Sequence, residues 1–581
     1  MPKNFLSLFA SHRASARNLP VSIHKACRLL ALAVTVACAV PAVHAQTPPA
    51  RLPSGAEPGR ESPRPILQQP AIETPQVNVP QSSVAEVPPG AKDLSFVLQD
   101  FAIEGATAFP ADVLQPLYAG LVGREVSVAD VFEAAHAIEL LYRNAGFVTS
   151  RVIVPQQTVE NGRFRVVVVE GFVADIVFQD DIGPARVAVE KLLNGLRDVR
   201  PVSVREIERR LLLANDLHGL TVSGTLEPSR DILGGSIIVV RSARKAVDGA
   251  LVFDRRISPY FGEVKISGNL AWNAIGKRAD RVWLAASSSL DVGGSADINA
   301  GYDAQIADNG TTVSLVGSHA TSEPGRELEP LNVQSEVNSW LGTVTVPVIR
   351  SRGENLRAEA QFEVRNVDTD LADASFTRDR LRILRAGLNY DLSDRWNGVT
   401  AIRGMLHQGL PGLGASSNDS ALASRLDGRN DFTKITLDLA RLQQITDRVS
   451  LLAGLAGQFS ATRLLASEEF GLGGANFGRA YDDGEMTGDN GLAVSLELRY
   501  VPAGLPRDVQ LYGFVDDGLV WAADDGKTPP HSWLASFGGG VRANLSSALF
   551  ATLEVAKPID PVVRSQGDKG ARVFASIQAQ F

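Results

Sequence analysis

Cysteine is almost missing from this chain of 581 residues: Cys27 and Cys38 are the only two, and both precede residue 46. A disulfide scaffold is therefore excluded for everything that follows. Beyond residue 45 no apolar run reaches the length of a membrane-spanning helix, which argues against a helical membrane protein. Long Lys/Arg clusters are missing too, and the formal net charge is −8, so the electrostatic footprint of a DNA or RNA binder is lacking. Aromatic residues make up only 6%. Catalytic signatures are equally scarce. There is no HExxH and no G-x-S-x-G elbow, and Gly526-Lys527-Thr528 has no glycine five residues before Gly526, as a phosphate-binding loop would require. Asp482, Asp483, Glu485 and Asp489 lack the spacing of a calcium loop and read as a solvated acidic loop. The sequence offers no catalytic residue, no metal site and no cofactor site.

What is present divides the chain. Residues 1–45 carry Lys3, Arg13, Arg17, Lys25 and Arg28 without an acidic residue. The apolar run Leu29 to Val40 and the small-residue end Val43-His44-Ala45 follow. This predicts a secretory signal peptide cut after Ala45. Lipidation at Cys38 is the competing reading, but Thr35 stands where a leucine is expected. Losing those 5 cations takes the net charge from −8 to −13, so the exported chain is acidic. Residues 46–92 are rich in proline, with Gly, Ser, Gln and Glu between, and cannot bury enough apolar surface to offset the entropy of ordering. They predict a flexible linker.

Residues 93–245 read as one α/β pattern used twice, over 93–171 and 172–245. The first predicts a strand at Phe96 to Glu104, helices at Pro110 to Tyr118 and Val128 to Asn144, then strands at Val148 to Val154 and Arg163 to Glu170. In the second, a strand at Val173 to Gln179 precedes helices at Ala185 to Leu196 and Val204 to Leu217. Strands at Leu220 to Glu227 and Gly235 to Arg241 complete it. Gly146 and Gly219 stand at corresponding helix ends as C-cap glycines. The apolar faces Val131, Ala135, Ile138, Leu141 and Ile207, Leu211, Ala214, Leu217 are core.

Residues 246–581 alternate with period two, strand after strand. Leu492, Val494, Leu496, Leu498 and Tyr500 alternate with Ala493, Ser495, Glu497 and Arg499, and Val573, Ala575, Ile577, Ala579 and Phe581 alternate with Phe574, Ser576, Gln578 and Gln580. Lipid outside and a watery lumen inside would demand this pattern. The fold class expected is a transmembrane β-barrel of 16 antiparallel strands preceded by two α/β domains, although 14 or 18 strands fit the length almost as well.

Signal, linker, tandem β-α-α-β-β modules and barrel together resemble the TpsB transporters of two-partner secretion, the haemolysin and filamentous-haemagglutinin exporters of the BamA-like superfamily, with two POTRA domains. Gly473-Gly474-Ala475-Asn476-Phe477-Gly478-Arg479-Ala480-Tyr481 is similar to the family's loop tip, which folds back into the barrel. Phe514-Val515-Asp516-Asp517-Gly518 is similar to the Phe-x-Asp motif of the strand that meets that tip. Pro347 to Arg352 and Asn273-Ala274-Ile275-Gly276, with Asp280, look like further family strands, and Phe581 matches the signal read by the barrel-assembly machinery. Ala480 departs from the family's glycine. The pore-plugging amphipathic helix of some members has no counterpart between Gln46 and Gly90, where proline is too frequent.

The resemblance implies an outer-membrane exporter, not an enzyme, with its POTRA domains in the periplasm. It would act as a monomer in outer-membrane lipid and thread a large secreted TpsA-like exoprotein, unfolded, through the barrel. Loop-tip residues would be Gly478, Arg479, Ala480 and Tyr481, and their lumen partners Phe514, Asp516 and Gly518. Cargo would add to the strand edge at Val148, Val152 and Val154 by β-augmentation. Alternatives are a barrel-assembly insertase, which usually carries more POTRA modules, and a passive porin. Independently of the family, a loop arginine folded inward needs a carboxylate, because its charge cannot be removed by deprotonation. Strand alternation puts Gln510, Tyr512, Phe514 and Asp516 on the face that turns to the lumen.

Overall fold

The computed structural model of the chain describes residues 77–78, 87–290, 294–504, 508–523 and 531–581. The expected signal segment with both cysteines, most of the linker and Gly526-Lys527-Thr528 lie outside the described residues. Among the described residues no helix is long and apolar enough to cross a membrane.

The first α/β unit pairs the strand Asp100–Glu104 in parallel with Arg163–Val169, which pairs antiparallel with the edge strand Arg151–Ile153. Its helix Val128–Asn144 starts where Ser127 and Asp130 cap each other reciprocally, Asp130 N donating to Ser127 Oγ at 3.2 Å and Ser127 N to Asp130 Oδ2 at 2.7 Å. Val131, Ala135, Ile138 and Tyr142 bury the inward stripe, while Leu141 is only partly covered. The second unit orders its sheet as Leu220–Pro228, Gly235–Arg244, Phe172–Phe178, under the helices Arg186–Asn194 and Val204–Asn215. Gly146 (φ 92°) and Gly219 (φ 72°) both take the left-handed conformation that releases a helix into the next segment. Within the linker, expected to lack regular structure, Val77–Asn78 pairs in parallel with Gly224 and Thr225 on the outer edge of the second sheet.

Where the units join, the Glu170 carboxylate accepts hydrogen bonds from the amides of Thr107 (2.7 Å) and Ala108 (2.8 Å), from the Tyr142 hydroxyl (2.8 Å) and from Thr107 Oγ1. Burial by itself would raise its pKa, but these donors favour the charged form and hold it below the usual carboxylate range.

Sixteen antiparallel strands close the barrel, from Val247–Asp254 round to Arg572–Gln580. The seam between first and last runs from Ala250↔Gln580 to Asp254↔Ser576. Phe581 extends it by exchanging both backbone hydrogen bonds with Gly249, at 3.1 and 3.2 Å. Alternation does what the pattern required: Leu492, Val494, Leu496, Leu498 and Tyr500 are 37–51% exposed on the outer face, while Ala493 and Glu497 are buried inside. Strand length is uneven. The neighbours Val333–Arg350, Glu354–Leu371 and Ala374–Ser393 run to 18, 18 and 20 residues and project past the wall that the shorter strands build.

Both motifs expected to be strands sit at the barrel rim that carries the α/β units, and one of them is not a strand. Asn273 to Gly276 form a turn, with Ala274 at φ 51°, because the strand Lys265–Trp272 ends one residue earlier. Ala274 and Ala279 are part of the core of the second α/β unit, so that core continues into the rim. Pro347 to Arg350 end a strand as expected, and Arg350 and Arg352 reach the helix Val204–Asn215 and its C-cap Asp216. Arg350 grips Asp216 with Nε at 2.7 Å and Nη2 at 2.6 Å, and Arg352 meets Glu208 at 2.7 Å. Bidentate pairs of this kind add direction as well as charge.

Two outcomes follow from these contacts. Replacing Glu170 with Gln lowers amide-exchange protection at Thr107 and Ala108 several-fold at pH 7. The contribution of a carboxylate with a depressed pKa is complete above its unfolded pKa of about 4.3 and disappears as pH falls through the folded value. Mutant and wild type therefore converge in acid, and equal protection at pH 7 counts against the contact. Arg350→Glu loosens the second unit on the barrel, read as a broadened spin-label distance between the helix Val204–Asn215 and the rim. Combining it with Asp216→Arg narrows the distribution again.

Candidate functional site

The strands Val449–Ser460 and Asn490–Tyr500 are wall neighbours, yet residues 461–489 lie between them in the chain. That loop does not project outward. It carries a small hairpin, Phe470–Leu472 against Met486–Gly488, and packs against the inner wall. Glycines on the wall make room for it. A Cβ at Gly491 would stand 2.0 Å from Phe470, and one at Gly518 would stand 2.6 Å from Leu472.

The tip turns at Gly478 (φ 79°), where a Cβ would also meet Leu534 at 2.6 Å. Ala480 is fully buried in ordinary backbone, since the left-handed requirement falls on Gly473, Gly474 and Gly478. The departure from glycine at 480 is thereby accommodated. Tyr481 is 1% exposed, and its hydroxyl donates to the carbonyl oxygens of Ala535 (3.0 Å) and Pro561 (3.2 Å).

Arg479 is the centre of the arrangement. Its Nε and Nη2 reach Asp516 Oδ2 and Oδ1, each at 3.0 Å, and its own amide donates to Oδ2 at 3.0 Å. Nη1 reaches Glu497 at 2.5 Å, and Nη2 also donates to Ser495 Oγ at 3.0 Å. The guanidinium lies 3.5 Å above the Phe514 ring. Asp516 is completely buried and Arg479 is 5% exposed. Arg256 secures the tip from the seam side, donating to the Arg479 carbonyl oxygen at 2.8 Å. Arg542 supplies Glu497 with further charge at 2.7 Å. Alternation put Asp516, Ser495 and Glu497 all on the lumen face, but it did not single out Ser495 or Glu497 as partners of the tip. A lumen-facing carboxylate one strand away carries no local signature, and only the pairing Ser495↔Asp516 places it beside the tip.

The acidic stretch after the tip differs from expectation. Asp483 is exposed, but Asp482, Glu485 and Asp489 are 5%, 3% and 0% exposed. Arg572 pairs with Asp482 at 2.7 Å, and the Arg564 amide donates to Glu485 at 2.8 Å. Asp489 holds Arg425 and accepts the amides of Leu464 and Ala523, each at 2.8 Å. Folding inward turned a seemingly solvated loop against the strand cation Arg572, the loop cation Arg425 and backbone amides.

At the other candidate site the expected edge shortens. Arg151–Ile153 is an edge strand, but Val148 lies in a turn and Val154 outside the strand. The chain bends here, with Ser150 N donating to Phe147 O at 3.1 Å. Val152 points into the core at 6% exposure, and its amide donates to the buried Glu139 carboxylate at 3.1 Å. Ile153, 37% exposed, is the apolar side chain this edge presents.

A closed 16-strand barrel entered by its own loop and preceded by α/β modules defines a membrane β-barrel of the POTRA-barrel class. The family model for the haemolysin secretion/activation proteins ShlB/FhaC/HecB matches residues 234–543, and the ShlB-type POTRA domain matches residues 96–171. The chain belongs to that family, the outer-membrane transporters of two-partner secretion. It is 21% identical to the heme/hemopexin transporter protein HuxB of Haemophilus influenzae, over 77% of this chain and 81% of that one. With the outer membrane transporter CdiB of Dickeya dadantii it shares 22% identity over 78% and 80%. The solved structure of CdiB from Escherichia coli superposes with a TM-score of 0.70 at 20% identity, covering 87% of this chain and 93% of that one.

Removing one partner of a buried pair costs about 3–5 kcal/mol. Arg479→Ala accordingly frees residues 473–482 to proteolysis or hydrogen exchange while the barrel persists. Arg479→Asp with Asp516→Arg recovers activity above the worse single mutant, and recovery no better than that mutant counts against direct pairing.

Proposed function

We propose that this chain exports one large, Sec-delivered, TpsA-like exoprotein, receiving it unfolded on the periplasmic side and passing it through the barrel to the cell surface. The observation that carries this reading is the occupied lumen: a loop anchored by Arg479 to Asp516 and Glu497 fills the space a passive porin would leave open. The division is a signal peptide at 1–45, a linker at 46–92, POTRA domains at 93–171 and 172–245 in the periplasm, and the barrel at 246–581. Gly478, Arg479, Ala480 and Tyr481 form the gating tip, and Phe514, Asp516 and Gly518 its seat. The chain works as a monomer in outer-membrane lipid, with no catalytic step. Phe581 is the residue read by the barrel-assembly machinery.

Cargo recognition belongs to the first α/β unit. Its edge at Arg151–Ile153 is short and the Val152 amide is already taken, so an added strand gains little from backbone bonding alone. Side-chain contact at Ile153 supplies the remainder.

The test compares surface and supernatant proteins from cells lacking the chain with cells restored by wild type or by Arg479→Ala. One very large polypeptide disappears on deletion and returns with wild type, whereas the mutant barrel assembles and exports far less. A joint decline of many outer-membrane barrels would point to an insertase instead.

A further inference from the structure

The loop that carries Arg479 touches the wall at a second, charge-reversed place. Glu468 ends the short turn Ala466–Glu468, before the hairpin that leads to the tip, and is 3% exposed. One carboxylate oxygen lies 2.9 Å from Arg365 Nη1 and 3.7 Å from Arg385 Nη2, and the other lies 2.8 Å from Lys434 Nζ. Lys434 Nζ also donates to the Glu468 carbonyl oxygen at 2.8 Å, and Gln458 Nε2 does so at 3.0 Å.

The three cations come from three strands, Glu354–Leu371, Ala374–Ser393 and Thr433–Thr446. They are buried at 4%, 3% and 6% exposure. Glu363 takes Arg365 at 2.7 Å and Arg385 at 2.6 Å, so it is shared between two arginines. His407 Nδ1 accepts from Arg385 Nε at 2.9 Å, which fixes that guanidinium from its remaining side. Among Arg365, Arg385, Lys434 and Glu363 the formal charge is +2 (3 cations, 1 anion), and Glu468 is the loop carboxylate set into it.

The two contacts lie on different strands. Arg479 docks on Asn490–Tyr500 and Val509–Trp521, and Glu468 on the three strands named above. A loop tied at one point can swing about it. One tied at two points to different strands is held against swinging about either.

We propose that Glu468 is a positioning residue for transport, a second latch that holds the loop in the lumen and compensates the cation cluster of the wall. It acts through the loop and need not touch cargo. Sign reversal between the latches has a consequence. Displacing the Glu468 segment exposes net positive charge to the lumen, and displacing the tip exposes Asp516 and Glu497, so the two openings differ in ion preference.

This extends the exporter reading, and the test needs no cargo, so failure of the latch and failure of that reading are distinguishable. Purified full-length protein is placed in planar bilayers as wild type, Glu468→Gln, Arg479→Ala and the charge exchange Glu468→Lys with Lys434→Glu. Assembly is checked by heat-modifiable gel mobility. The expected result is a several-fold rise in mean conductance for Glu468→Gln, with a reversal potential shifted toward anions. Arg479→Ala shifts toward cations, and the charge exchange returns toward wild type. Wild-type conductance and selectivity in an assembled Glu468→Gln barrel would overturn the proposal, as would a rise without an anion shift. If Glu468→Gln does not assemble, the charge exchange decides by its conductance. Failure of both to assemble overturns the latch as well, since the cluster would then be required for the barrel and not for loop position.

Discussion

A guanidinium cannot be neutralised at any ordinary pH, so a chain that folds Arg479 into its own barrel must surround it with acceptors. Here Asp516 takes it through two nitrogens and its backbone amide, Glu497 and Ser495 take the rest, and Phe514 covers one face. Much of the site is an accommodation to that demand. Gly478 allows the turn, Gly518 and Gly491 thin the wall for Leu472 and Phe470, and Arg256 and Arg572 hold the tip's carbonyl oxygens. Such a cluster repays the desolvation of its charges only when every polar group is answered, so geometry here is tightly determined.

The same demand explains why the barrel interior is charged. A barrel with a water-filled lumen can leave its inner residues to solvent. One that receives a loop must answer each charge of the loop where it meets the protein. Asp482 against Arg572 and Glu468 against Arg365 and Lys434 meet that need on the wall, and Asp489 against Arg425 meets it at the loop between the strands Gly398–Gly409 and Thr433–Thr446. Inside, ion pairs surround a buried apolar cluster that includes Phe470, Leu472 and Phe477, while the lipid face carries the apolar alternation. At the rim, Arg350 and Arg352 apply similar chemistry to the second α/β unit, where an apolar core also runs through Ala274 and Ala279. An apolar contact gives adhesion there, and the bidentate arginine gives direction.

Local repetition is what made the architecture readable before any coordinates. Period two in Leu492 to Tyr500 and the paired glycines Gly146 and Gly219 each depend on a few neighbouring residues. Asp516 was legible for the same reason, since strand parity sets the face of a side chain. The inward aim of Glu497 was legible in the same way, but its partner was not, nor were those of Glu468 and Lys434. Their partners are distant in sequence, and nothing near them distinguishes a paired charge from a solvated one. Asp482 to Asp489 look solvated in the sequence for that reason, and the turn held by Ser150 and Phe147 is hidden there because it carries no strong turn residue.

By itself the sequence determined the element types, the lipid-facing surface, the tandem α/β modules and the inward aim of Asp516, because each follows from backbone periodicity and side-chain chemistry within one element. Tertiary structure alone decided the strand count, the place of the loop and the identity of its partners. Barrel closure is a global condition on all strands together, and an ion pair exists only when closure brings residues from separate strands to within bonding distance.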